Sequence, residues 1–300
     1  MQPLRETFGD QVEFVEADLL DEDSLMKAIE GSTYVVHTAS PAPINMPKDE
    51  NVLIKPAVNG TMAIMKAAHK NSVKRVVITS SVAAIAVTQD NDKNEYTVND
   101  WSDITKADPY YKSKTLAERA AWDFQASLPE SERFEIVTIC PSLVLGPNLN
   151  KAQFTSGDVI KKIMMREIPG MPKISMGIVD VRDVAEAHLQ GILKPEAANK
   201  RFILCAETVW FKEIGTWLHE VYAKEYKPIH KEVPKFAIWI VSFFNKTAKV
   251  ALPRWGKKKT FINKETREIL GIDFIAPKTS VLDMAASLIS TGYIPNKLKS

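Results

Sequence analysis

The chain has 300 residues, 45% of them hydrophobic and 25% charged. That balance suits a soluble globular protein of one large or two modest domains with ample core. Its 39 basic and 37 acidic side chains leave a net charge of +2, which favours neither nucleic acid nor an anionic membrane as a partner.

Met1 is followed by polar sequence without an apolar leader. The strand-rich run 11–18 ends at Asp18, and an acid-led helix over 21–29 stops near Gly31. Residues 33–39 form a buried-type strand, apolar, β-branched and brief. Ala57, Met62, Ile64, Met65 and Ala68 recur with a helix period. A second buried strand covers 73–81, a polar loop 88–108, and a third strand 134–142. Apolar strands separated by helices imply an α/β fold, a Rossmann-like doubly wound parallel sheet. Residues 1–150 make its partial dinucleotide-binding domain. Residues 151–300 make a smaller substrate-binding region with strands returning to that sheet.

In the second part, Asp183 reads as a helix N-cap, with Glu186 completing a capping box. "RFILC" (201–205) is a short strand, a helix runs around Phe211 to Tyr222, and "INKETREILGIDF" is an amphipathic helix closed by Gly271. The apolar run "FAIWIVSFF" (236–244) is too short for a bilayer, which needs ~20 residues. It reads as a buried or membrane-grazing helix face, with packing in the core the favoured of the two. Cys140 and Cys205 lie in apolar strands and read as buried reduced thiols, favouring a reducing, cytoplasmic setting.

The stretch "DPYYKSKTLAER" (108–119) places Tyr110 four residues before Lys114. On a helix these share a face. A phenol with its ordinary pKa of about 10 is a poor acid–base group at neutral pH. A neighbouring ammonium favours the phenolate and lowers that value. Tyr110 is then a usable acid for a carbonyl being reduced, or a base for an alcohol being oxidised. "YIPNK" (293–297) has the same spacing, but Pro295 bars an ordinary helix interior, so it is a decoy. In a doubly wound sheet ligands gather at the carboxyl ends of strands. Ser80 and Ser81, Pro141 and Ser142, and the end of "VVHTASP" (35–41) all fall there.

The stretches "EADLLDEDSL", "VVHTASP", "KRVVITSS", "YYKSKTLAERAAWDF", "CPSLVLGP", "VDVRDVAEAHL" and "LGIDFIAPKTSVLDMAASLISTGYIP" run in family order across nearly the whole chain. On them the chain resembles the extended short-chain dehydrogenase/reductases, in the branch of dihydroflavonol reductases, cinnamoyl-CoA reductases and 3β-hydroxysteroid dehydrogenase-like proteins. The resemblance implies that Tyr110 is the catalytic acid/base. Lys114 would lower its pKa and hold the nicotinamide ribose, and Ser81 would bond the substrate carbonyl. It places Asp18 and Leu19 against the adenine, Ala39 and Ser40 along the cofactor, and Pro141 and Ser142 near the carboxamide. The cofactor implied is NADP, or else NAD. Asn59 carries no role beyond packing on this reading, His37 is a satisfied core or edge histidine, and Asp183 only caps its helix.

The family pattern opens with a strand, a Gly-x-x-Gly-x-x-Gly turn and a helix that receives the pyrophosphate. Here the first glycines are 9, 31, 60 and 146, and the matching region starts near the family's third strand. In a family sheet of order 3-2-1-4-5-6-7, strand 11–17 would stand roughly 14 Å from strand 33–38, two strand spacings of ~4.8 Å apart. An incomplete sequence is the favoured reading, ahead of a remodelled protein or completion by a partner chain. The expectation is a gap where two strands belong, or strand 11–17 shifted onto strand 33–38.

The predicted activity is NAD(P)-dependent reduction of a ketone or aldehyde on a small hydrophobic substrate. The thioester-reductase signature "NWYCYGK" is absent, since the helix reads "PYYKSKTLAE", and Trp210, Phe211, Trp217, Trp239 and Phe243 enrich the second part in aromatics. A nucleotide-sugar epimerase and a non-catalytic protein of the same fold are the alternatives. A monomer or homodimer is expected, with no nucleic acid and no membrane span.

Overall fold

The computed structural model describes residues 5, 8–41, 49–87, 93–149, 155–243 and 252–298. Runs of β-branched residues form the centre of the molecule. Strands β1 (Tyr34–His37), β2 (Arg75–Thr79), β3 (Glu135–Pro141) and a later strand, Lys200–Leu204, pair in parallel in that order. Parallel neighbours need crossovers. Helix α1 (Glu22–Ile29) precedes β1, α2 (Asn51–Lys70) joins β1 to β2, and α3 (Pro109–Ser127) lies between β2 and β3.

The side-chain period of two sends alternate strand residues to opposite faces. Val76, Ile78 and Ile136 pack with Leu25, Ile29, Met65 and Ala121 of α1, α2 and α3. Val77, Val137 and Ile139 pack the other way, against Ala187 and Phe202. Both faces are covered, which is why these strands are continuously apolar.

A second, three-stranded sheet carries the rest. β4 (Leu143–Leu145) pairs in parallel with β5 (Ser175–Asp180), and β5 pairs antiparallel with Glu207–Trp210. Helix α4 (Thr155–Met164) lies between β4 and β5, and α5 (Val181–Leu193) leads from β5 to β6, the strand Lys200–Leu204 that returns to the first sheet. β7 (Glu207–Trp210) runs into α6 (Phe211–Tyr222), followed by α7 (Lys235–Ser242) and α8 (Pro277–Ser290). Ile160 and Ile163 of α4, Ile178 of β5, Ile214 and Leu218 of α6 and Leu288 of α8 form its core.

Three expectations are corrected. Residues 11–17 form no strand: 12–18 run as unpaired, mostly exposed chain. They have not moved onto β1, which pairs with β2 alone among the described residues and leaves Tyr34 and Val36 exposed. Strand-forming composition needs a partner edge before it yields a strand.

Asp183 does not cap α5. Asp180 does, accepting from the Arg182 amide at 2.9 Å. Asp183 is buried and accepts from the Ile275 amide at 2.9 Å, and Glu186 bonds Gln190 instead of closing a capping box.

The "FAIWIVSFF" helix is not core. Phe236, Trp239, Ile240 and Phe243 are 50–66% exposed, and only Ile238 among its described large residues is buried. No helix among the described residues is long and apolar enough to cross a bilayer.

The expected end of the 262–274 helix is found, where Gly271 takes φ +73° and stops it in the left-handed region that glycine tolerates. Both cysteines are buried free thiols.

Candidate active site

β2 ends at Thr79, and the next two residues turn out of the sheet with their side chains buried. Ser81 is extended at φ −166°, and its hydroxyl caps the turn Val82–Ala84 by accepting from the Ala83 amide at 3.1 Å. The same hydroxyl lies 3.5 Å from the Pro141 carbonyl, at the carboxyl end of β3. Two adjacent parallel strands thus deliver Ser81 and Pro141 to one edge.

Helix α3 begins at that edge because Asp108 accepts from the amides of Tyr110 and Tyr111 at 3.0 and 3.1 Å, with Pro109 in the first helical position. Tyr110 is half-buried and is hydrogen-bonded to the Ser81 side chain. Lys114 follows one turn later, buried, with Nζ 3.4 Å from the Thr79 carbonyl. Ser81, Tyr110 and Lys114 therefore converge on the mouth of the parallel sheet. The decoy pair does not: Tyr293 donates to Asp158 at 2.6 Å, and Lys297 lies over the Tyr226 ring.

The electrostatics refine the expectation for Tyr110. Burial pushes the phenol up, the Ser81 hydrogen bond pulls it down, and Tyr111 and Asp108 push it further up. The net direction is upward, because burial outweighs the Ser81 hydrogen bond; this corrects the lowering expected from Lys114, whose Nζ lies at the Thr79 carbonyl. Burial brings Lys114 itself down to about 8.

The residues expected along a cofactor are distributed around the same edge. Pro141 and Ser142 are buried between β3 and β4, and the Ser142 hydroxyl is hydrogen-bonded to the Cys205 thiol. Ala39, exposed, and Ser40, half-buried, lie in the loop leaving β1. His37 ends β1, buried, with Nε2 3.4 Å from Thr61 Oγ1 of α2. Burial, and then the charge of Lys114, lower its pKa to about 4, so the ring is neutral at pH 7. Leu19 packs on α2 at Gly60, where a Cβ would lie 3.2 Å from Leu19 Cβ. That contact is one residue from the Thr61 that holds His37. Asp18 is exposed and shapes the turn into α1, accepting from the Leu20 amide at 2.8 Å.

The nicotinamide end of a dinucleotide fits this edge: the buried Lys114, the Ser81 hydroxyl and the accessible Ala39 and Ser40 after β1 surround it. A pyrophosphate fits α1 poorly. The first-turn amides of Asp23 and Ser24 already donate to the Asp21 carboxylate, at 3.1 and 3.2 Å, and Glu22 and Asp23 follow. Three acidic side chains there repel a phosphate that the helix dipole would otherwise attract.

Sequence reasoning passed over one group. Glu118, a further turn along α3, is 1% exposed and accepts from Ser80, Thr138 and Arg201. The repeated four-residue spacing from Tyr110 to Lys114 to Glu118 was its only local signal. The aromatics of the second part divide. Phe211 and Trp217 pack against the second core, whereas Trp239 on the exposed face of α7 and Phe243 just beyond its end meet edge to face, centroids 4.9 Å apart.

A parallel sheet whose hydroxyl-bearing strand ends face a Tyr–Lys helix defines a Rossmann-like oxidoreductase scaffold. Residues 3–205 match the model of the NAD dependent epimerase/dehydratase family, and the chain belongs to that family, the extended short-chain dehydrogenase/reductases. It is 34% identical to an anthocyanidin reductase of Vitis vinifera, over 69% of this chain and 64% of that one. It is 30% identical to tetraketide alpha-pyrone reductase 1 of Arabidopsis thaliana, over 96% of this chain and 83% of the relative. Among solved structures, a yeast methylglyoxal/isovaleraldehyde reductase complexed with NADPH superposes with a TM-score of 0.78 at 27% identity, covering 97% of this chain and 89% of that one.

Proposed function

We propose that the chain reduces a ketone or aldehyde on a small hydrophobic molecule, using NADPH, with Ser81, Tyr110 and Lys114 as the catalytic residues. The observation that carries this reading is the convergence of those three side chains at the carboxyl edge of the sheet. The named relatives, which are reductases, support it.

The substrate carbonyl oxygen sits between the Ser81 hydroxyl and the Tyr110 phenol, each donating a hydrogen bond. The cofactor, when bound, supplies hydride to the carbonyl carbon. Tyr110 gives its proton to the oxygen that becomes an alkoxide, and the product is an alcohol. A phenol held up by burial is protonated at neutral pH, the state a reduction requires. After transfer, the ammonium of Lys114 stabilises the phenolate and its protons reach the ribose hydroxyls. When the cofactor is bound, Pro141 and Ser142 would lie by its carboxamide, and Ala39 and Ser40 would line the approach. Asp18 and Leu19 meet the adenine.

A second reading, a cofactor-impaired member of the family, draws on the lack of a Gly-x-x-Gly-x-x-Gly phosphate turn among these 300 residues. NADPH fluorescence titration of the full chain separates the two. Binding, with turnover that Tyr110→Phe abolishes, supports the reductase. A folded chain that does not bind NADPH sinks it.

A further inference from the structure

The buried carboxylate one turn beyond Lys114 calls for an account of its own. Glu118 accepts from Ser80 Oγ at 2.5 Å, Thr138 Oγ1 at 2.8 Å, Arg201 Nε at 2.7 Å and Trp122 Nε1 at 3.4 Å. Arg201 is fastened in turn by the carbonyls of Val98 and Asp100, and its guanidinium stacks 3.8 Å from the centre of the Trp101 ring. Elements from β2, β3 and β6 thus clamp one side chain of α3. A buried ion pair is a weak source of stability compared with apolar packing of the same volume, so stability alone is a poor explanation for building one here.

The groups facing Lys114 suggest another. Its own helix presents the neutral Tyr110 phenol and Glu118. β2 presents the Thr79 carbonyl, which is uncharged. β1 presents His37, neutral above about pH 4. β3 presents Cys140, whose thiol burial pushes up to about 12, so it too is neutral. With Cys140 neutral, the carboxylate of Glu118, one turn along the same helix face, is the formal anion in that set, and its far side is paired with Arg201 at 2.7 Å. Without an anion, burial would drive the lysine further toward its neutral amine. A neutral amine cannot stabilise a phenolate.

We propose that Glu118 is a positioning residue, the fixed counter-charge that keeps Lys114 an ammonium beside Tyr110, with Ser80, Thr138 and Arg201 holding its carboxylate in place. The role rests on the catalytic reading above, but its physical content can be measured without turnover.

The test is a titration of Lys114 Nζ by ¹⁵N NMR in the full lysine-labelled chain, the resonance assigned by its disappearance in Lys114→Arg. In Glu118→Gln the proton affinity of Lys114 falls about tenfold or more, a midpoint about one pH unit lower. In Glu118→Asp, which keeps the charge, it stays within about threefold of the parent. Should Glu118→Gln alone lose its folded circular dichroism spectrum, Glu118→Gln/Arg201→Gln leaves no charge unpaired and should show a fall in the same direction, smaller because the Arg201 cation leaves with the carboxylate. A folded variant without the carboxylate whose Lys114 titrates where the parent's does overturns the inference. A parent chain that binds NADPH but turns over no carbonyl counts against the reductase and not against Glu118, because the Lys114 midpoint alone decides the latter. In an active chain, the alkaline limb of kcat/KM shifts down by the same interval in Glu118→Gln.

Discussion

Helices α3 and α7 invert the usual rule in opposite directions. α3 buries a lysine and a glutamate, 8% and 1% exposed, while α7 presents Phe236 and Trp239 at 66% and 55% exposure. On α3 each buried charge has partners: Glu118 meets Arg201 and two hydroxyls, and Lys114 meets a backbone carbonyl. Buried polar groups are expensive unless satisfied in this way. On α7 the aromatic rings meet mainly each other and water. Charge buried with partners marks the proposed site of this molecule, and apolar exposure marks where the packing of its described residues ends.

The sharpest way to break that contrast is Tyr110→Phe. It removes one hydroxyl from α3 and should cut turnover by ~10²–10⁴, the usual worth of a positioned general acid, with NADPH affinity little changed. Steady-state kinetics beside a fluorescence titration check both halves. Next comes Arg201→Met, which strands the Glu118 carboxylate. Removing one partner of a buried pair costs about 3–5 kcal/mol, so the urea midpoint should fall steeply. The Glu118→Gln/Arg201→Met double variant should recover much of it.

A third prediction concerns pH. His37 has a folded pKa of about 4, below its ordinary 6.5, owing to burial and then to Lys114. The unfolded chain therefore binds that proton more readily. The stabilisation is complete above pH 6.5 and is lost as pH falls through about 4, amounting to about 3 kcal/mol at most. Denaturation midpoints at pH 7 and pH 4 should differ clearly, and His37→Gln should narrow the difference.

The smallest effect belongs to α7. Trp239→Ser and Phe243→Ser should change stability by no more than ~0.5 kcal/mol, as exposed substitutions do. A loss of several kcal/mol would mean that this face is covered after all.

Much of the central architecture was legible in order. β1, β2, β3 and β6 could be read because strands buried on both faces need unbroken apolar, β-branched runs. The Phe211–Tyr222 helix and the stop at Gly271 followed from periodicity and from glycine's freedom at positive φ. Ser81, Tyr110 and Lys114 were legible as a local spacing beside a strand end, although their convergence was an expectation until the strands were paired.

Other features depended on partners far away in the chain. Residues 11–17 have strand composition but pair with no strand among the described residues, although β1 stands at the sheet edge. Asp180 and Asp183 are equally plausible caps by composition, and only the Ile275 amide, 92 residues on, claims Asp183 for another task. The apolar run of α7 says that burial would be favourable, not that a surface exists to bury it. Glu118 looked like an ordinary helix acid until Arg201, 83 residues later, arrived beside it. Local sequence determined which segments could be helix or strand and which side chains share a face, since backbone geometry and periodicity act over a few residues. Which charges are enclosed, which edges are paired and which faces stay wet were decided only by the tertiary structure, because burial and its electrostatic consequences depend on what the rest of the chain brings alongside.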